Sequence, residues 1–186
     1  FLSIRVEVAN NERTPWSSAM IGYPTFSMPT KKTTGRNQVA DYVGILSTCT
    51  GDYHIDLIVE RKSLSDLYGT LVIDDNRERF YREIDRFKAD DRFSSMVVIV
   101  EGTYTDFLLY APEFTDGKFD YGRRFDSKKT NAIAAKKLTV VADMFVAGVP
   151  IIFCDNPAMA ASLCGRLFRE SVRKSYPKIL GLKEVG

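Results

Sequence analysis

Two carboxylates and a lysine are close enough in this chain to do phosphoryl chemistry: Asp52 in Gly51-Asp52, and Glu60 with Lys62 in Glu60-Arg61-Lys62, with Asp66 shortly after. Alternation along a strand puts Glu60 and Lys62 on one face. Read as a hairpin of residues 52–55 and 57–62 turning about Asp56, the segment sets Asp52 opposite Glu60, with Cα atoms roughly 4.5–5.5 Å apart. Like charges that close repel unless a cation neutralises them. A hard divalent ion, Mg²⁺ or Mn²⁺, takes one or two carboxylates and leaves its other positions to water and phosphate oxygens. Lys62 would orient or deprotonate the attacking water, or stabilise charge developing on the phosphate. A bare Glu-x-Lys on a strand is usually a surface ion pair. The whole string, Gly-Asp followed by Glu-Arg-Lys and an aspartate at fixed offset, arises by chance in roughly 10⁻⁴ of chains this long at average residue usage. The spacing therefore points to metal-dependent phosphodiester hydrolysis.

The elements that must position these groups alternate between strand and helix. Residues 3–9 set Ile4, Val6 and Val8 against Arg5, Glu7 and Ala9, a strand with one apolar face. Pro15, Pro24 and Pro29 then interrupt regular structure, and residues 23–36 read as a loop, either a substrate-sensing flap or a plain surface connection. Residues 45–48 continue the sheet into the Gly51-Asp52 turn. Ser63 reads as an N-cap with Asp66 at N3, so a helix starts directly after Lys62, and Asp66 either serves that cap or assists the site. Residues 76–88 place Phe80, Ile84 and Phe87 at i, i+4, i+7, an amphipathic helix packed on the sheet. Met96 to Val100 is a continuous apolar run, a central strand covered on both faces, ending at Glu101-Gly102. Residues 116–126 read as a loop, 130–146 as a helix ended by Gly148 and Pro150, and 149–154 as another buried strand. Asn156 caps a last helix that opens with Pro157.

Composition bounds the rest. A chain of 186 residues, 45% of them apolar, fits one domain with one sizeable core. No apolar stretch approaches a membrane span, and charged residues in the opening segment exclude a signal peptide there, so no membrane partner and an intracellular location are expected. Cys49, Cys154 and Cys164 are odd in number and lack paired metal spacing, which reads as reduced thiols, mostly in the core. The lone His54 reads as a solvent-facing strand residue. The net charge of +2 leaves room for local basic strips toward a polyanion. Candidates for DNA contact are Lys31, Lys32 and Arg36 in the loop, Arg77 and Arg79 with Arg82 and Arg86 on the helix after the motif, and further clusters at 128–137 and 166–174.

The string Gly51-Asp52, Glu60-Arg61-Lys62, Asp66 resembles the signature G-D-x(n)-E-R-K-x-x-x-D of the XPF-type structure-specific endonucleases. The likeness extends through Thr14-Pro15-Trp16, residues 77–84, Val97 to Gly102 and Gly148 to Phe153. It is greatest with the compact single-domain members of phages and bacteria and covers about residues 4–175. It implies an α/β fold with a restriction-endonuclease-like core, a central mixed sheet flanked by helices, in a single nuclease domain. It implies a Mg²⁺- or Mn²⁺-dependent DNA endonuclease, selective for branched or flapped DNA, leaving 5′-phosphate and 3′-hydroxyl ends. By the same likeness Asp52 and Glu60 bind metal with the Arg61 carbonyl, Lys62 serves the water, Glu12 and Asp66 assist, and Arg61 also meets DNA. Glu101 is either an auxiliary acid or a strand-end residue holding backbone amides. Larger members carry a helix-hairpin-helix module after the core, for which residues 179–186 are too short. Pairing through the nuclease core, homo- or heterodimeric, is also implied, with Met144, Phe145, Leu163, Leu167 and Phe168 as the candidate surface or else as core. One position departs from the pattern. Where the family has V-x-V-D-x-x-E, this chain reads Val6-Glu-Val-Ala-Asn-Asn-Glu12, with Ala9 in place of the aspartate. Either Ala9 is a replacement that inactivates the enzyme, or Glu7 substitutes for the missing acid, or the chain is a natural member that binds DNA or pairs without cutting.

Overall fold

The structure, a computed structural model, describes residues 3–22, 28–33, 39–109, 113–115, 118–120 and 127–175. A six-stranded mixed sheet in the order β2-β1-β3-β4-β5-β8 forms the centre. Its strands are β1 (Ser3–Val8), β2 (Thr30–Lys32), β3 (Tyr42–Thr48), β4 (Gly51–Ser63), β5 (Met96–Glu101) and β8 (Ile151–Cys154). The antiparallel pairs β1–β3 and β3–β4 give way to parallel pairs β4–β5 and β5–β8. Helices α1 (Leu64–Leu71), α2 (Asp74–Lys88), α3 (Tyr104–Leu109), α4 (Ser127–Val146) and α5 (Pro157–Ser175) supply the flanking layers.

Two apolar cores result, one on each face. Val43, Ile58, Val98 and Val100 of the sheet meet Leu67, Leu71, Phe80, Ile84, Phe107, Val140 and Met144 from α1 to α4. On the other face Val6, Val8, Tyr42, Val59 and Ile99 meet Trp16 and the Ala160, Cys164 and Phe168 stripe of α5. The strand β5 is buried on both sides over Met96–Val100, as its unbroken apolar run requires. Among the described residues no helix is long and apolar enough to cross a membrane.

The largest departure from the sequence reading lies in β4. Residues 51–63 form one strand of 13 residues, with no hairpin about Asp56. The turn falls instead between Thr48 and Gly51, where Gly51 holds a positive φ of 142°, and β3 is the antiparallel partner. At Asp56 the ladder carries a bulge: Tyr42 pairs with Val59 and Val43 with Ile58, but Ile45 pairs with His54. Asp56 pins it by accepting hydrogen bonds from the Ser94 amide and hydroxyl. Gly44 sits opposite, where a Cβ would come within 2.8 Å of Ile55 and 2.7 Å of Phe168, so the bulge needs a residue without a side chain there.

Three smaller expectations also change. Within the expected loop, Thr30–Lys32 adds to the sheet edge as parallel strand β2, with Lys31 beside Glu7 and Lys32 beside Val8; residues 23–27 and 34–38, including Arg36, lie outside the described residues. Lys118–Asp120, expected as loop, forms β7 and pairs with β6 (Glu113–Thr115). Lys137, counted among the basic clusters, is fully buried. Its ammonium donates to the carbonyls of Phe107 and Leu108 at 2.6 and 3.1 Å, satisfying the end of α3, and burial pulls its pKa down to about 8. The Ser63 cap is as expected: its Oγ accepts the Asp66 amide at 3.1 Å. Asn156 Oδ1 likewise accepts the Met159 amide at 3.0 Å. Cys154 and Cys164 are buried and Cys49 exposed. His54 is exposed, with its ring edge on Phe93. Of the apolar residues named on the last two helices, Met144 and Phe168 are core, Leu163 and Leu167 are half-buried against it, and Phe145 is exposed.

Candidate active site

A cavity of about 740 Å³ opens at the end of the β1, β3 and β4 strands, lined by Ala9, Glu12, Asp41, Glu60, Lys62 and Asp66, with Arg79, Glu83, Arg86 and Arg92 along one side. The bulge decides which aspartate enters it. One residue beyond the Tyr42–Val59 pair, Asp41 stands across from Glu60. Asp52 pairs instead with Ser47, and at about 3.3 Å per strand residue it lies on the order of 26 Å from Glu60. It is exposed and salt-bridged to Arg5 at 2.8 Å. The Ser47 hydroxyl and Arg5 hold its carboxyl below the usual range. The carboxylate opposition inferred from sequence is therefore present, but Asp41 makes it rather than Asp52.

Asp41 is bound on one side only. Its Oδ2 accepts the Arg61 amide at 2.9 Å, and the Ala9 amide donates to its carbonyl at 2.8 Å. Burial, then the charge of Glu60, raises its carboxyl from 3.8 to about 7, against the pull of the Arg61 amide and Lys62. Glu60 Oε1 takes the Lys62 ammonium at 2.6 Å, both side chains being largely buried. Burial opposes the charge on Lys62, but Glu60 and Asp41 outweigh it and its pKa rises, so the group is an ammonium at neutral pH. Phe80 lies beneath it, 5.5 Å from ring centre to nitrogen.

Arg61 points the other way, as strand alternation dictates. Its guanidinium grips Glu101 at 2.8 and 2.9 Å, Glu12 at 2.9 Å and the Thr14 carbonyl at 2.7 Å. Trp16 donates its indole N–H to the same Glu101 at 2.7 Å and stacks on Tyr42. Glu101 is thus a counter-ion tying β4, β5 and the segment after β1 together, and Arg61 holds Glu12 at the cavity wall. Asp66 lines the cavity from its capping position, receiving the Ser63 hydroxyl at 2.7 Å.

The expected basic contacts divide. Lys32 donates to the Glu12 carbonyl at 3.1 Å, beside the site. Lys31 is exposed on β2 and acts on Asp52 rather than on the Asp41 centre. Arg79 lines the cavity and Arg77 does not, because two helical residues turn about 200° at 3.6 residues per turn. Sequence reading missed Asp41, whose only signal is its place just before the apolar run Tyr42 to Leu46, and Arg92, which sits past the end of α2. Glu7 is ion-paired to Arg5 at 3.5 Å and does not line the cavity that Ala9 faces.

The donor set fits a hard divalent cation. Among the described residues nothing donates to Asp41 Oδ1 or Glu60 Oε2, two oxygens of a largely buried like-charge pair. No three His, Cys, Asp or Glu side chains converge among the described residues. Two carboxylates suffice for an ion of the Mg²⁺ type, which keeps water and phosphate oxygens in its other positions.

A family model, the ERCC4 domain, matches residues 25–167. Among solved structures the chain is similar to XPF from Aeropyrum pernix, with a TM-score of 0.53 and 18% identity over 95% of this chain and 69% of that one. It is also similar to the structure of that protein in complex with DNA, with a TM-score of 0.52 and 18% identity over 97% of this chain and 68% of that one. At such identity the likeness is one of fold, the mixed sheet with flanking helices of the restriction-endonuclease-like core. No curated protein sequence matches the chain.

Proposed function

We propose, from the premise that this chain belongs to the ERCC4 domain family, that it is a divalent-metal-dependent DNA endonuclease whose centre is Asp41, Glu60 and Lys62. The observation that carries this reading is the opposition of Asp41 and Glu60 in a largely buried cavity, with the Asp41 carboxyl raised to about 7. A protein gains nothing in stability from two such acids side by side, so their pairing calls for a cation. Mg²⁺ or Mn²⁺ held there would polarise the scissile phosphoryl group and make water more acidic. The chain's own residues do the rest. Asp41 and Glu60 hold the ion through the oxygens left over from Arg61 and Lys62. The Lys62 ammonium fixes the Glu60 carboxylate and presents donors to negative charge that develops during attack. Arg61, locked on Glu101, keeps Glu12 at the wall, and Asp66 stays at the rim by its cap.

Water attack in line with the 3′-oxygen would break the P–O3′ bond, leaving a 5′-phosphate and a 3′-hydroxyl that takes up a proton. Branched or flapped duplexes are the proposed substrates, in line with the family. Lys32, beside Glu12, meets the backbone at the mouth of the cavity. Pairing with a second nuclease core has Phe145 and Val146 of α4 as its exposed apolar side chains. The second reading, a silent DNA-binding partner of the same fold, draws on Ala9, an apolar side chain facing the acidic cavity. Incubating the chain with labelled single-stranded, duplex, flap and fork DNA in Mg²⁺ and in Mn²⁺ separates the two. Cutting that Glu60→Gln abolishes supports the enzyme; tight binding without cutting in either metal supports the silent partner.

A further inference from the structure

The cavity carries an arginine pair whose acid partner is set up to be displaced. Arg79, Glu83 and Arg86 lie on one stripe of α2, at i, i+4 and i+7, and all three line the cavity beside Lys62. Glu83 is the shared counter-ion, 3.8 Å from Arg79 and 3.8 Å from Arg86. Both contacts are longer than a hydrogen bond, and the arginine side chains are 76% and 74% exposed. One carboxylate thus faces two guanidinium groups, and one positive charge is left over. Glu83 also acts electrostatically on Lys62, so charges alternate from Glu60 through Lys62 and Glu83 to the arginines. Arg92, on the same side, is built differently. Asp90 holds it by contacts of 2.6 and 2.9 Å and Phe93 lies under its guanidinium, which leaves it committed to its own loop.

We infer that Arg79 and Arg86 form a phosphate-binding subsite for the nucleic-acid backbone, with Glu83 occupying the place of the phosphate when no DNA is bound. Guanidinium groups prefer bidentate contact with phosphate, which the 3.8 Å contacts to Glu83 do not provide. The two arginines stand about 10.5 Å apart along the helix at 1.5 Å per residue, roughly three nucleotide steps of a duplex strand at 3.4 Å each. The stripe ends beside Lys62, so a strand laid along it passes the Asp41–Glu60 centre. The inference rests on the nuclease reading for the identity of the ligand, and it adds which helix face carries the backbone and which acid yields to it.

The test is the salt dependence of binding to a fluorescent fork DNA without divalent metal, for the full chain, Glu83→Gln, Arg79→Gln/Arg86→Gln, and all three changes together, with Arg173→Gln on α5 as a charge-matched control. The arginine pair should lower the slope of log affinity against log salt by about 0.9 per contact on duplex DNA, and Arg173→Gln should leave it in place. Glu83→Gln should tighten binding by roughly twofold to fivefold, as expected for release of exposed ion pairs. That gain should vanish in the triple variant. An unchanged slope for the arginine pair, or a Glu83→Gln gain that persists without the arginines, overturns the inference, the second outcome meaning that Glu83 only repels DNA at long range. Melting curves for each variant confirm folding. Cleavage by Glu60→Gln in Mg²⁺ is read in parallel: if it cuts like the parent while the arginine effects hold, the nuclease centre is misassigned and the subsite stands.

Discussion

Asp41 and Glu60 face each other across the β3–β4 ladder, one residue beyond the pair formed by Tyr42 and Val59. The Arg61 amide holds one oxygen of the first and the Lys62 ammonium one oxygen of the second. Asp41→Asn should therefore lower metal-dependent cleavage by about 10²-fold or more, at least ~2.7 kcal/mol of barrier, while Asp52→Asn should leave it close to the parent. A side-by-side nicking assay decides. Loss of cutting in Asp52→Asn with Asp41→Asn intact would return the metal site to the far end of β4.

The raised carboxyl of Asp41 makes stability depend on pH in the metal-free protein. The folded state takes up its proton near pH 7 and the unfolded chain near pH 3.8, so between these values the native state binds more protons and its stability falls as pH rises. Glu60 and Glu12 face Asp41 as like charges and Lys62 as an opposing one. Thermal unfolding in chelator should show a midpoint that drops from pH 5 to pH 7.5 more steeply in the parent than in Asp41→Asn. Mg²⁺ should restore the parent at pH 7.5 and do little for the variant. Equal slopes in the two proteins would mean that the pair is not under strain.

Ala9 presents its methyl group to the cavity, and its amide bonds the Asp41 carbonyl. Ala9→Asp should bring a third carboxylate to the centre and raise cleavage at equal Mg²⁺ by about 10²-fold, with a lower metal concentration at half-maximal rate. Glu7→Gln, on a residue paired with Arg5 outside the cavity, should change neither quantity. If Glu7→Gln abolished cutting and Ala9→Asp did nothing, Glu7 would be the substituting acid.

Arg61 is held by Glu101 and Glu12 with little solvent access. Glu101→Gln leaves a guanidinium without its main counter-charge and should cost about 2–4 kcal/mol of stability, near the penalty for breaking a buried pair. Because Arg61 also steadies Glu12, the rate should fall with KM for DNA little changed. Urea unfolding and steady-state kinetics read the two effects separately, and a large rise in KM alone would place Arg61 on the DNA instead.

Sequence by itself determined the element types, the two-sided burial of β5, the Ser63 and Asn156 caps and the chemistry of Glu60 and Lys62, because each follows from local periodicity, turn residues or neighbouring positions on one strand. It also determined that Glu60 needs an opposing carboxylate. Which aspartate fills that place was decided by tertiary structure. A regular hairpin closed at Thr48–Gly51 would carry Val39 across from Glu60, and only the bulge beside Gly44, made tolerable by packing against Phe168 and pinned by Asp56 on Ser94, shifts the register to Asp41. The direction of Arg61 and the division between Arg77 and Arg79 depended in the same way on which face met the core. Register and facing are set by contacts between residues far apart in the chain, and local pattern does not carry that information.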